Sequence, residues 1–305
     1  MASRWHRIAW IFSGLALPSC LWADPVGLLY PDVRDPYQKV FLNIAEGAEA
    51  QLGTSLYRHI LSKSTTSQET ESWLAEKDIS AVIALGADSV NFLNADNQLP
   101  LVVGAVSAQA PESFSSVSLN PSPKLLFAGV LALQHSIKTI HVVFDPSRNN
   151  WEVEQAAEMA KALNIKLIGY PAEDLRQAAT TYRDIQNQMD AKTEALWLPL
   201  GGPARDKTIM QTILEIAWVN EQVIFSSNLA DVKRGVLFAM YPDNTGMGKE
   251  LAQLLTELQK NPEQPHQTQF VTSLYKAVNR RTAEHLQIRL GNQDLSAYDF
   301  VYPPR

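Results

Sequence analysis

Short apolar runs alternate along this chain with stretches in which apolar residues recur every three or four positions. The clearest case is Lys138 to Leu163. Ile140, His141, Val142, Val143 and Phe144 form a compact run of strand formers, and Asp145-Pro146-Ser147-Arg148-Asn149-Asn150 reads as the loop after it. Val153, Ala156, Ala157, Ala160 and Leu163 then fall on one helical face, with Asn149 or Asn150 as the N-cap and Glu152 and Glu154 complementing the positive helix end. The same strand-loop-helix pattern stands near the start: strand Val26 to Tyr30, loop Pro31 to Pro36, and the stripe Phe41, Ile44, Ala45, Ala48, Leu52. An aromatic opens each helix, Tyr37 in one copy and Trp151 in the other. Two such half-units predict two α/β lobes.

The pattern continues between and after them. Strands are predicted at 56–61, 81–85, 101–106, 166–170, 195–200, 223–226 and 235–241, and helices at 68–77, 125–133, 175–189, 209–218 and from Gly246 through Leu258. Residues 107–123, with three prolines and six serines, break the rhythm and read as a crossing between lobes holding a weak strand at 115–119. Residues 270–275 read as a strand, 282–288 as a last helix and 298–305 as extended. The alternation with short connections predicts doubly wound parallel sheets. Residues 24–119 with about 243–275 are assigned to the first lobe, and 120–242 with about 276–305 to the second.

Composition narrows the class. Hydrophobic residues at 46% and charged residues at 19% describe a globular chain, and a net charge of −6 argues against a nucleic-acid partner. The N-terminus reads as a signal peptide over residues 1–23: Arg4 and Arg7, an apolar run from Ile8 to Leu17 too short to span a bilayer, and Ala23 before the cut. The mature protein is then periplasmic and begins at Asp24. The alternative takes Leu17-Pro18-Ser19-Cys20 as a lipobox with Cys20 acylated. Cys20 is the one cysteine, so no internal disulfide forms.

The six histidines show no metal-ligand spacing, and His141 reads as a satisfied strand histidine. There is no nucleophile elbow and no phosphate-cradling glycine loop, so neither catalysis nor a cofactor is expected. Ligands of open α/β sheets bind beyond the carboxyl ends of the strands. The residues there are Tyr30, Asp32 and Tyr37; Gly86, Ala87, Asp88 and Ser89; and Ser107 in the first lobe. In the second they are Asp145, Asn149, Asn150 and Trp151; Gly201 and Gly202; and Ser226, Ser227 and Asn228. Capping and turn formation account for any one of them, but the set suits a small, partly apolar ligand held between two lobes. Tyr37 and Trp151 are expected to flank its apolar part from opposite lobes.

Five segments, AVIALGADSV, LPLVVGAVS, KTIHVVFDPSRNN, GVLFAMYPDNTGMGKELAQLL and KAVNRRTAEHLQI, in this order and spacing resemble the substrate-binding proteins of ABC importers, in particular those similar to the tryptophan/tyrosine-type binders. The resemblance covers nearly all of the chain after the leader. It implies the type I periplasmic-binding-protein fold, with two lobes, three crossings and hinge closure on a small organic or amino-acid-like ligand. It also implies a monomer that delivers the ligand to an ABC permease in the inner membrane. A ligand-sensing module presenting its closed form to a membrane receptor is the alternative. Two departures bear on the ligand: Ser107 is followed by Ala108-Gln109-Ala110 where the family often has Asp-Pro, and Gly201-Gly202 stand where it often has an acid. A buried α-amino group needs a carboxylate, so the second departure weighs against an amino acid.

Overall fold

The computed structural model describes residues 24–93, 98–107 and 113–304; the expected signal peptide, Cys20 and the Ala108-Gln109-Ala110 departure lie outside the described residues. The described chain folds into two sheets. The first contains β1 (Val26–Pro31), β2 (Tyr57–Leu61), β3 (Ala81–Leu85), β4 (Leu101–Val106) and β5 (Ser115–Pro121). The second opens with β6 (Thr139–Phe144), β7 (Lys166–Pro171), β8 (Glu194–Leu198), β9 (Val223–Ser226) and β10 (Phe238–Pro242). The chain then returns to the first sheet for β11 (Thr268–Val271) and to the second for β12 (Leu274–Asn279) and β13 (Phe300–Tyr302).

The first sheet has the order β11-β5-β4-β3-β1-β2 and is parallel throughout. The second has the order β13-β12-β10-β9-β8-β6-β7 and is parallel except where β12 runs against β10. Helices cover both faces, so central strands such as β3 (Ala-Val-Ile-Ala-Leu) are buried on both sides and read as unbroken apolar runs. This is the α/β architecture of two doubly wound lobes that the alternation predicts.

The helices are α1 (Tyr37–Leu52), α2 (Ser67–Glu76), α3 (Pro123–Leu133), α4 (Pro146–Ala162), α5 (Leu175–Gln188), α6 (Lys207–Val219), α7 (Leu229–Arg234), α8 (Asn244–Lys260), α9 (Arg280–His285) and α10 (Asn292–Leu295). A 3-10 turn, Ala87–Phe92, follows β3. Helices α1 and α8 lie backbone to backbone: a Cβ on Gly47 would land on the carbonyl of Thr245, and one on Gly248 on the carbonyl of Ile44. The Gly246-Met247-Gly248 run therefore fixes how closely the returning chain packs on the first sheet.

Four local readings are corrected. The segment 146–150 is helix, not loop: Asp145 is the N-cap of α4, its carboxylate accepting from Ser147 N at 2.9 Å, with Pro146 in the first turn. Strand β5 is present where expected but runs on to Pro121 and lies inside the sheet, between β4 and β11, its serines buried and bonded to neighbours. The single strand read at 270–275 is two strands in different sheets, parted at Thr272-Ser273. The strand read from Gly235 begins at Phe238, and the short helix α7, absent from the periodicity, precedes it.

Candidate cleft between the two sheets

The crossings locate the cleft. β5 leaves the first sheet at its carboxyl end, and Ser122 leads into α3, which packs on the second sheet. β10 leaves the second sheet at its carboxyl end, and Asp243 leads into α8, which packs on the first. β11 ends at Val271 and passes through Thr272-Ser273 to β12. The three crossings are tied together: Ser122 N donates to Val271 O at 3.0 Å and Asp243 N to Ser273 O at 2.9 Å. The carboxylate of Glu250 on α8 accepts from Thr272 N, Thr272 Oγ1 and Ser273 N at 3.1, 2.9 and 2.6 Å. Since the strands feeding the crossings leave at their carboxyl ends, the carboxyl edges of both sheets lie on the crossing side.

The site set sorts by exposure. On the first lobe Asp32, Tyr37, Ala87, Asp88 and Ser107 are exposed, Gly86 is half-buried, and Tyr30 and Ser89 are buried. Tyr30 packs 6.0 Å from the Phe41 ring, and the Ser89 hydroxyl donates to Leu85 O at 2.5 Å, pinning the 3-10 turn to the end of β3. On the second lobe Asn150, Gly201 and Asn228 are exposed, Asp145 and Trp151 half-buried, and Asn149, Gly202, Ser226 and Ser227 buried. Gly86 and Gly201 hold φ of 86° and 73°, where a side chain is strained, so backbone geometry accounts for both glycines.

Ser226, Ser227 and Asn149 are engaged in hydrogen bonds within their own lobe. Ser226 Oγ donates to Asp231 at 2.7 Å, and Trp197 Nε1 donates to Ser227 Oγ at 3.1 Å. Burial pushes the Asp231 carboxyl up, opposed by the Ser226 hydroxyl and Arg234. Asn149 Nδ2 donates to Leu200 O at 2.9 Å and to Glu152 at 3.1 Å, so it ties the start of α4 to the turn after β8. Asn228 caps α7 through Ala230 N at 3.1 Å. Asp145 keeps its carboxyl below the ordinary range chiefly through the Ser147 hydroxyl, 2.6 Å away.

Glu152 also differs from its expected part. It is buried, 1% exposed, and desolvation pushes its pKa to about 8 against the opposing bond from Asn149. A neutral carboxyl does not complement a helix dipole.

Trp151 and Tyr37 do not play equal parts. Tyr37 is 69% exposed, whereas the Trp151 ring stacks on Phe270 of β11 with centroids 4.5 Å apart and planes 22° apart. Trp151 belongs to the second lobe and Phe270 to the first sheet, so the stack bridges the lobes beside the crossings. Phe270, Glu250, Ser273 and Asp243 are the residues that sequence reasoning missed here. So is the pair Tyr241 and Tyr275, in register on β10 and β12 with rings 5.4 Å apart, next to the crossings. An aromatic on each of two strands entering a predicted crossing was the available signal.

His141 is satisfied within its lobe, Nδ1 lying 3.1 Å from the Tyr170 hydroxyl and Nε2 3.0 Å from Glu194. Among the described residues no His, Cys, Asp and Glu cluster is arranged to hold a metal ion.

The chain has the type I periplasmic-binding-protein fold. Solved structures over nearly its whole length are similar to it: a ligand-free, open substrate-binding protein with adhesive properties from Clostridium difficile (16% identity, 91% of this chain and 99% of that one, TM-score 0.62); a conserved domain protein from Vibrio cholerae (15%, 92% and 99%, 0.53); and an ABC domain in complex with L-Trp from Streptococcus pneumonia (16%, 90% and 99%, 0.52). No protein-family model and no curated protein matches the sequence.

Proposed function

We propose that this chain is an exported solute-binding protein that captures a small organic ligand between its lobes and hands it to an ABC permease. The observation that carries the reading is the crossing geometry. Two mostly parallel sheets turn their carboxyl edges toward three bonded crossings, with exposed polar side chains on each edge: Asp32, Asp88 and Ser107 on one, Asn150 and Asn228 on the other. A ligand touching both edges favours whichever lobe arrangement allows both contacts, which is how binding drives hinge closure. The action is capture and release, not catalysis. The leader read at residues 1–23 supports export to the periplasm, with a mature N-terminus at Asp24, and the unit that binds is a monomer.

A ring-bearing ligand fits best. Tyr37, Trp151, Tyr241 and Tyr275 stand near the two edges, and aromatic faces give large contact area at small entropy cost. The pneumococcal neighbour was solved with L-Trp, which is compatible with this class of ligand. With Gly201-Gly202 in place of an acid, a ring acid or neutral ring compound is preferred over an α-amino acid.

The test is native mass spectrometry of protein recovered from its own periplasm, followed by calorimetry with the ligand found. A bound small molecule and a mature mass beginning at Asp24 are expected. Lack of any bound molecule, together with no thermal shift across a panel of aromatic acids, amines and amino acids, would overturn the reading.

A further inference from the structure

A large cavity of the second lobe is at the end away from the crossings. It lies between α6, the last turn of α7, α9 and the chain after β13, has a volume of about 990 Å³, and reaches the amino end of β9 at Gln222 and Ile224. Its floor is apolar, with Leu214, Leu237 and Leu286 among the lining residues. Its aromatic wall is Trp218, held flat by His285: the two rings lie 3.6 Å apart with planes within 5°, and His285 Nε2 is 2.8 Å from the Trp218 carbonyl. Trp218 stays 42% exposed, and Val219 beside it 79%.

The rim is cationic. Lys207, Lys233, Arg234 and Arg281 all line it, against Glu215 as the one lining carboxylate among the described residues. This inverts the balance of a chain with 26 Lys and Arg to 32 Asp and Glu. Two cations are placed by the aromatics: the Arg281 guanidinium lies 5.6 Å from the Trp218 ring centroid and Lys233 Nζ 5.4 Å from that of Tyr302. Arg234 leans on Asp231 at 3.4 Å, and Glu215 accepts from Gln211 at 2.8 Å.

We infer that the second lobe carries a second binding site, remote from the interlobe cleft, for a small amphipathic anion whose apolar body rests on Leu214, Leu286 and Trp218 while its acidic head meets Lys233 and Arg281. A cavity of this volume with an apolar floor and a few charged groups on one side is the form small-molecule sites take. The charge excess selects an acid over a neutral or cationic compound. The inference does not rest on the cleft reading and would survive its failure.

The probe is 8-anilinonaphthalene-1-sulfonate, with its uncharged relative N-phenyl-1-naphthylamine as control, titrated into the mature protein at low salt and followed by probe fluorescence. One saturable site for the anion is expected. The double variant Lys233→Gln/Arg281→Gln changes exposed side chains and should keep the melting temperature. It should weaken the anionic probe on the order of tenfold and the uncharged probe less than about threefold. Leu214→Glu should abolish binding of both. Three results would overturn the inference: an unchanged affinity for the anionic probe in the double variant, an equal loss for both probes, which would leave a merely apolar patch, or a crystal soak that puts the sulfonate in the interlobe cleft. Concentration-dependent self-association lost in the same double variant would assign the groove to a second copy and likewise overturn the small-anion assignment.

Discussion

Glu152 sits one residue from the interlobe stack, and its chemistry is the opposite of what its position in the sequence suggests. An acid in the first turns of a helix is ordinarily an exposed partner for the dipole. Here burial holds the carboxyl neutral, with a folded pKa of about 8. The unfolded value lies near 4.3, so between the two the folded protein binds a proton that the unfolded chain has released. The contribution of the neutral group is full below about pH 4 and is lost as pH rises through about 8. Glu152→Gln keeps the shape and removes the titration. Urea midpoints at pH 5, 7 and 9 should fall for the native protein and fall less steeply for the variant; parallel slopes would show that Glu152 stays ionised. Trp151 gives a second prediction at this scale. Stacked aromatics contribute roughly 0.5–1.5 kcal/mol beyond their buried area, so a double-mutant cycle with Trp151→Ala and Phe270→Ala should return a coupling in that range from equilibrium unfolding. Additive losses would mean that the two rings are merely adjacent.

Periodicity carried most of the elements. β4 and β9 have the bounds their apolar runs suggest, and the stripe read for α1 is the face that buries. It failed where a signal other than periodicity decides. The start of α4 is set by the Asp145 side chain, and proline in the first turn looks like a loop residue until its N-cap is recognised. α7 is only six residues, too short for a stripe to declare itself. The division at Thr272-Ser273 is made by Glu250, 22 residues away, which no local window reveals. The crossing of α1 and α8 pairs residues that no local window joins, Gly248 against the backbone of Ile44 and Gly47 against that of Thr245. Gly47→Ala and Gly248→Ala should each destabilise the protein by roughly 2 kcal/mol or more, because the added Cβ meets backbone that cannot swing aside. The check is chemical denaturation, with Gly53→Ala, a positive-φ position with open space around it, as the strain-only comparison.

At the scale of the molecule, the strand ends pointed to a cleft, but not to which of their residues face it. Alternation tells which side of a sheet a residue takes; it does not tell how far a turn after the strand folds back. Ser226 and Ser227 fold back into the core, while Asn228 stays out. Nor did it show that Trp151 already has a ring to rest on, since Phe270 is far away in sequence and belongs to the other sheet. The stack and the Glu250 clamp put two different constraints on lobe motion: the first must break or slide if the lobes separate beside the crossings, and the second holds the pivot itself. Glu250→Gln removes charge-assisted bonds to Thr272 and Ser273, partly in water, while leaving both hydrophobic cores untouched. Hydrogen exchange at the Ser273 amide should then quicken about five- to tenfold, the size expected for the loss of roughly 1 kcal/mol of local protection. Exchange in β3 and β8, at the centres of the two sheets, should not change. If the sheet centres loosen together with Ser273, Glu250 supports the whole fold; if Ser273 stays protected, the pivot is held by the crossing bonds from Ser122 and Asp243 alone.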